Sequence, residues 1–98
     1  MTRQELINRS EALIRQILGE HIPPQARIYL YGSRAKGDNR WNSDYDLWID
    51  GEISSRKLVE LIEKLEESVV PFRVEIVTTQ QLTGRFGERV KQEARPWV

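Results

Sequence analysis

The sequence contains no cysteine and only one histidine, His21. Disulfide bridges and thiolate metal sites are therefore excluded, and a metal ion would have to be bound by oxygen ligands or by that imidazole. The chain also lacks an excess of either charge, because 15 Lys and Arg residues balance 15 Asp and Glu residues. A net charge of zero gives no electrostatic reason to expect direct binding to nucleic acid.

Long apolar runs are absent as well. The first 16 residues, MTRQELINRSEALIRQ, carry charges throughout and include no apolar signal-peptide region. No segment approaches the length of about 20 apolar residues that spans a bilayer, so we expect a cytoplasmic protein with no membrane partner. A length of 98 residues with 39% hydrophobic content suits one compact domain, and we expect residues 1–98 to form it.

Hydrophobic periodicity predicts a small α/β (α+β) fold with element order α-β-β-α-β-α. Apolar residues recur at helical spacing over residues 3–19, from Ser54 or Ser55 to about Ser68, and along Leu82, Phe86 and Val90. Residues 26–31, 45–50 and 72–78 instead read as strands. We expect a mixed sheet of three or more strands covered by helices, with a short helical turn from Arg34 to Lys36 that ends at Gly37.

Three carboxylates are predicted to share one face of the sheet. Asp44 and Asp46 are two positions apart at the start of a strand, so they emerge on the same side about 6 to 7 Å apart. Glu75 alternates with Val74 and Ile76 in the third strand and joins the aspartates if the two strands are near neighbours. Like charges so placed repel, and one or two Mg²⁺ ions would remove the repulsion. The spacing therefore indicates a metal site.

A glycine-serine turn lies just upstream of these carboxylates. Gly32 permits close backbone approach, and the N–H groups of the turn, with the Ser33 hydroxyl, can bind phosphate oxygens. Arg34 and Lys36 supply positive charge, and one or both are expected to reach the ligand. A phosphate-binding turn beside a carboxylate metal site predicts binding of a nucleoside triphosphate with Mg²⁺. The P-loop and G-x-G-x-x-G patterns are both absent.

These motifs together resemble a known family. Gly32-Ser33, separated by ten intervening residues from Asp44-Tyr45-Asp46 within GSRAKG and SDYDLWID, is similar to the minimal nucleotidyltransferases of the DNA polymerase β-like superfamily. The resemblance covers nearly the whole chain, including the final FGERVKQEARPW segment. It implies the small nucleotidyltransferase fold and transfer of a nucleoside monophosphate to a hydroxyl, with release of pyrophosphate.

The resemblance also implies roles for individual residues. Gly32 and Ser33 would bind the triphosphate, Asp44 and Asp46 would hold two Mg²⁺ ions, and Glu75 would be the third carboxylate that helps to deprotonate the acceptor. The family usually has aspartate at this third position. Because glutamate is longer by one methylene, its carboxylate is displaced, and errors of about 1 Å are costly in such chemistry.

Family members of this size resemble MntA-like antitoxins, whose partner toxin is a helical HEPN-domain ribonuclease. The implied activity is transfer of AMP from ATP to a tyrosine of that toxin. Two alternatives remain: a catalytically weak antitoxin that neutralises its partner by forming a complex, and a small-molecule enzyme similar to aminoglycoside nucleotidyltransferases. The latter enzymes carry an additional acceptor-binding domain.

Overall fold

A computed structural model describes residues 1–97 of the chain. In order, the elements are α1 (Arg3–His21), β1 (Arg27–Tyr31), α2 (Gly32–Lys36), β2 (Tyr45–Asp50), α3 (Ser55–Glu67), β3 (Val74–Thr78), a 3₁₀ turn (Thr79–Gln81), α4 (Gly84–Glu93) and β4 (Arg95–Pro96). The predicted α/β fold is confirmed, and α2 contains the expected short helical turn but begins earlier, at Gly32. Among these residues, no helix is long and apolar enough to cross a membrane.

Polar side chains fix where the two long helices begin. The Thr2 hydroxyl accepts a hydrogen bond from the Glu5 backbone N–H at 3.1 Å, which caps α1. The Ser54 hydroxyl accepts one from the Lys57 N–H at 3.2 Å and caps α3. These caps satisfy backbone donors that have no partner inside the helix, so they set the register in which α1 and α3 present their apolar faces.

The four strands form one mixed sheet in the order β3-β2-β1-β4. Strand β2 pairs with β1 antiparallel and with β3 parallel, while β4 pairs with β1 antiparallel. The register aligns Tyr31 with Asp46 and Asp46 with Glu75. A single row of side chains therefore crosses three strands on the same face.

Alternation along β2 separates the core from the opposite face of the sheet. Tyr45, Leu47 and Ile49 are fully buried against α1 and α3, with Phe72 packed beside them. Asp46 points to the other face, which α4 covers in part. The strand period of two thus places one carboxylate outside the main core.

Several elements differ from the sequence predictions. Helix α1 continues to His21, β3 begins at Val74 rather than at residue 72, and the two-residue strand β4 was not predicted. Helix α4 starts at Gly84, so Leu82 precedes it, and Phe86 is 39% exposed although Leu82 and Val90 are buried.

Gly87 has a packing role in this last helix. A Cβ at that position would lie 2.6 Å from the carbonyl oxygen of Leu82. Glycine, which usually weakens a helix, is therefore required where α4 packs closely against the preceding turn.

Candidate active site

A cleft of about 300 Å³ lies on the sheet face that carries Asp46. Its walls come from the ends of three strands, the first turn of α2 and one side of α4. The lining residues are Tyr31, Gly32, Lys36, Asp46, Glu75, Val77, Phe86, Arg89 and Glu93. Segments that are distant in the sequence therefore meet at one concave, strongly charged surface.

Asp46 is at the centre of the cleft's electrostatics. Burial, followed by the negative charges of Glu75, Asp44 and Glu93, raises its pKa from 3.8 to about 6. Arg89 acts in the opposite direction and lowers this pKa. More negative than positive side chains thus act on Asp46, and a bound cation would offset their repulsion.

Asp46 and Glu75 are cross-strand partners, so the condition under which Glu75 was expected to join Asp46, that their strands are near neighbours, is met. Asp44 lies just before β2, is exposed, and adds to the negative potential at Asp46. Glu75 also forms an ion pair with Arg73, with Oε1 2.6 Å from Nη2. The Arg73 side chain is largely solvent-exposed and that of Glu75 is partly exposed, so the ion pair contributes little to stability and is easily exchanged.

Gly32 is required by its contact with Asp46. Its φ is +75°, and a Cβ there would collide with the Asp46 carboxylate. The Gly32 N–H donates a hydrogen bond to Glu93 Oε1 at 3.1 Å. Ser33 follows in α2, is half-buried, and lies next to the cleft rather than among its lining residues.

Arg34 and Lys36 point in different directions. The Arg34 guanidinium donates to the Ser43 carbonyl at 2.8 and 3.0 Å and lies 4.0 Å from the Tyr45 ring centroid, on the core side. Lys36 lines the cleft, and its Nζ lies 3.5 Å from Glu93 Oε2. The structure thus brings Lys36 to the carboxylates, while Arg34 holds the loop that precedes β2.

Three polar residues of this site were not predicted from the sequence: Tyr31, Arg89 and Glu93. Tyr31 is 5% exposed, and burial together with the charges of Asp46, Glu75 and Glu93 raises its pKa to about 12. Arg89 and Glu93 are four residues apart and therefore share one side of α4. That spacing was visible in the sequence, but which side of α4 meets the sheet was not.

The donor groups in the cleft suit a hard divalent cation. Within residues 1–97, no group of three His, Cys, Asp or Glu side chains is already placed to hold a metal ion. The residues nevertheless offer only oxygen ligands of the kind that Mg²⁺ prefers, and burial together with the charges of Glu75, Asp44 and Glu93 disfavours the ionised form of Asp46. The chemistry of the donors therefore fits Mg²⁺, the metal predicted from the sequence.

The fold and cleft agree with a sequence comparison to protein families. The family model described as "Nucleotidyltransferase domain" matches residues 12–98, so the chain belongs to the nucleotidyltransferase domain family. A search among curated proteins gave no significant match.

Solved structures give the same assignment. A protein described as a minimal nucleotidyltransferase is 31% identical, with a TM-score of 0.66 over 99% of this chain and 97% of that one. The family resemblance is therefore confirmed. A toxin-antitoxin crystal structure with AMP-PNP is 27% identical, with a TM-score of 0.68 over 89% of this chain and 72% of that one.

A more distant structure shares the fold. It is described as a tri-AMPylated Shewanella oneidensis HEPN toxin in complex with an MNT antitoxin. The match is 22% identical, with a TM-score of 0.63 over 98% of this chain and 72% of that chain. At this identity, the likeness supports the architecture alone.

Proposed function

We propose that this nucleotidyltransferase domain transfers AMP from ATP to a hydroxyl of an acceptor protein and releases pyrophosphate. The observation that carries the proposal is the pairing of Asp46 with Glu75 across neighbouring strands, directly beside the positive-φ Gly32 turn. A paired carboxylate site next to a backbone N–H and a lysine suits a nucleoside triphosphate and its metal.

The triphosphate would be held by positive groups on two sides of the cleft. The Gly32 N–H and Lys36 Nζ lie on the α2 side, while Arg89 projects from α4 opposite them. Asp44, Asp46 and Glu75 would hold two Mg²⁺ ions, which when bound neutralise phosphate charge and make the acceptor hydroxyl more acidic. Ser33, adjacent to Gly32, would contribute its hydroxyl to phosphate binding.

Glu75 is proposed to accept the proton of the acceptor hydroxyl. The acceptor oxygen then forms a bond to the α-phosphorus of ATP as the bond to pyrophosphate breaks, so AMP remains on the acceptor. The parallel register holds Glu75 beside Asp46, which is the position this role requires. Catalysis by this chain would thus consist mainly of positioning and charge compensation.

The proposed acceptor is a tyrosine of a HEPN-domain toxin. The gene for this toxin would lie beside the gene for this chain, and both proteins would be in the cytoplasm. Support comes from the toxin-antitoxin relative with AMP-PNP, which is 27% identical to the chain. The test incubates the purified chain, α-labelled ATP and Mg²⁺ with the product of the neighbouring reading frame. Label on a tyrosine of that product is the expected result, and its absence under conditions where the two proteins bind would refute the transfer activity.

A second candidate function is a weakly catalytic antitoxin that neutralises its partner by binding. The Arg73–Glu75 ion pair favours it, because the Arg73 guanidinium competes with an acceptor hydroxyl for the same carboxylate. Tight complex formation without transfer of label is the result that would distinguish this candidate from the enzyme.

A further inference from the structure

Strand β3 is the outer strand of the sheet, with β2 on one side only. The Tyr45 N–H donates to the Arg73 carbonyl at 2.9 Å, so the backbone of Arg73 faces β2. Because backbone groups alternate along a strand, those of Glu75 and Val77 also face β2, while those of Val74 and Ile76 face away. Within residues 1–97, no hydrogen-bond partner is found for these outward-facing N–H and carbonyl groups.

The open edge has a defined end. The outward N–H of Thr78 donates to Oε1 of Gln81 at 2.9 Å, as part of a capping box on the 3₁₀ turn. The Thr78 N–H thus has a hydrogen-bond partner within the chain. The outward N–H and carbonyl groups of Val74 and Ile76 have none among the described residues. Unpaired edges of this kind are sites at which another extended backbone adds to a sheet.

A groove of about 470 Å³ runs beside this edge. Its apolar wall is formed by side chains of α3, of β3 and of the segment between them: Ile62, Leu65, Val70, Phe72, Val74 and Ile76. Val74 and Ile76 point to the core face but remain partly exposed, because α3 does not cover them completely. The edge therefore offers both backbone hydrogen bonds and apolar contact.

Glu75 connects this groove with the active-site cleft, because this residue lines both. The side chains of Tyr31, Asp46 and Glu75 form one row across β1, β2 and β3. A further strand on β3 would lie about 4.8 Å beyond it and extend this row by one residue. The residue at that position would stand directly beside the Glu75 carboxylate.

We propose that the open edge of β3 binds an extended segment of the acceptor protein as a fifth strand, with its hydroxyl-bearing residue beside Glu75. This inference rests on the proposed function and adds how the acceptor is recognised. Because side chains alternate, the residues before and after the hydroxyl-bearing one would point toward the apolar groove. The preferred acceptor sequence is thus a tyrosine, serine or threonine between two apolar residues.

Two observations favour this occupant over others. An incoming helix satisfies its own backbone groups and would leave the Val74 and Ile76 amides unpaired. A second copy of this chain could pair with the edge without contacting Glu75, whereas an acceptor hydroxyl must lie beside the Glu75 carboxylate. The continuity of edge, groove and carboxylate therefore indicates the acceptor strand.

Residue-resolved amide hydrogen exchange of the ¹⁵N-labelled chain tests the proposal without any substitution. The probe is the product of the neighbouring reading frame, added with Mg²⁺ and an ATP analogue that carries a methylene between the α- and β-phosphates. We expect the amides of Val74 and Ile76 to exchange at least about tenfold more slowly in the mixture than in the free chain. The amides of Glu75 and Val77, which face β2, should be protected in both states.

Unchanged exchange at Val74 and Ile76 in the mixture would overturn the proposal, whether or not a complex forms. Slow exchange in the free chain that increases with its concentration would also overturn it, because the edge would then pair with a second copy. Protection of these two amides without label transfer would support docking on β3 while refuting the transfer activity. The two proposals can therefore fail separately.

A pair of substitutions at one position provides a second test. Ile76→Pro removes an N–H that faces away from β2, a site where an edge strand tolerates proline, whereas Ile76→Val keeps the amide. We expect Ile76→Pro to lower label transfer at least about tenfold while affinity for Mg²⁺ and ATP stays within about twofold, and Ile76→Val, which removes one methyl group from the groove but keeps the N–H, to lower transfer much less. Equal transfer by both variants would contradict the fifth strand. If Ile76→Pro does not fold, the hydrogen-exchange experiment on the unsubstituted chain is the deciding test.

Discussion

Glu93, near the end of α4, accepts a hydrogen bond from the backbone N–H of Gly32 at 3.1 Å. Its second carboxylate oxygen lies 3.5 Å from Lys36 Nζ. The two groups proposed to bind phosphate are therefore already in contact with a carboxylate of the same chain. A triphosphate would have to displace this contact or share it.

Removing the charge of Glu93 is expected to tighten triphosphate binding. Glu93→Gln keeps an oxygen that can accept from the Gly32 N–H, but it no longer repels phosphate or attracts Lys36. We expect affinity for ATP with Mg²⁺ to rise about fivefold, equivalent to about 1 kcal/mol, as measured by titration calorimetry.

Glu88→Gln is the matched control for this prediction, because Glu88 belongs to the same helix but is exposed and does not line the cleft. It should leave ATP affinity unchanged. Weaker binding by Glu93→Gln would instead show that the charge of Glu93 is needed to hold the Gly32 turn in place.

Asp46 gives the chain a specific dependence of stability on pH. Its pKa in the folded state is about 6, above the ordinary value of 3.8, so the folded chain binds the proton more tightly than the unfolded chain does. The resulting stabilisation is fully present below pH 3.8 and is lost as the pH rises through about 6. At pH 7, the charged carboxylate therefore destabilises the fold.

Asp46→Asn should remove this dependence. We expect the variant to be more stable than wild type at pH 7 by about 1 kcal/mol, allowing for solvent screening, with a smaller difference at pH 4. Urea unfolding followed by circular dichroism at the two pH values measures the difference. The variant should also lose label transfer, as should Asp44→Asn, and a fully active Asp46→Asn protein would refute the proposed metal role.

The sequence allowed a close prediction of how the carboxylates are arranged. Asp46 and Glu75 each sit in a strand whose apolar neighbours point to the core, so the period of two determined their shared face. The different orientations of Arg34 and Lys36 follow from the helical period. Each residue is rotated by about 100° around the helix axis, so residues two apart are separated by about 200° and point to nearly opposite sides. Applied to α2, that rule indicates that only one of the two cations faces the site.

Other features depend on contacts that are distant in sequence. Glu93 reaches Gly32 only because α4 packs over the strand ends, and nothing local to FGERVKQEARPW specifies that position. Strand β4 contains just Arg95 and Pro96, which is too short for a periodic pattern, and proline cannot donate to the sheet. The sequence thus predicted the sheet, the core and the carboxylate pair, but not the α4 wall of the cleft.

Magnesium should stabilise the wild-type fold even without a nucleotide. Binding of Mg²⁺ relieves the repulsion among Asp44, Asp46 and Glu75, so it favours the folded state. We expect the melting temperature at pH 7 to rise with MgCl₂ concentration and to rise less at pH 5, where Asp46 is largely protonated.

Asp46→Asn is the variant that tests whether this effect comes from the cleft, and KCl at matched ionic strength is the salt control. The variant should show a much smaller response to Mg²⁺ at pH 7. An equal response in both proteins would place the magnesium effect elsewhere on the chain.

The length and charge of Glu75 can be separated by substitution. Glu75→Gln removes the proposed base and should reduce label transfer at least about hundredfold, within the range typical of general-base catalysis. Glu75→Asp keeps the charge but shortens the side chain, which draws the carboxylate back toward the backbone of β3 and loosens its ion pair with Arg73. We expect this variant to transfer label at least as fast as wild type.

Arg73→Gln provides the matched control for the Glu75 variants, because it frees the glutamate without changing its length. If the ion pair restrains Glu75, this variant and Glu75→Asp should both increase the rate of transfer. If Glu75→Asp is instead as inactive as Glu75→Gln, the longer side chain is required, and the site has been adapted to glutamate at this position. Single-turnover measurements with α-labelled ATP distinguish these results, because they separate the chemical step from product release.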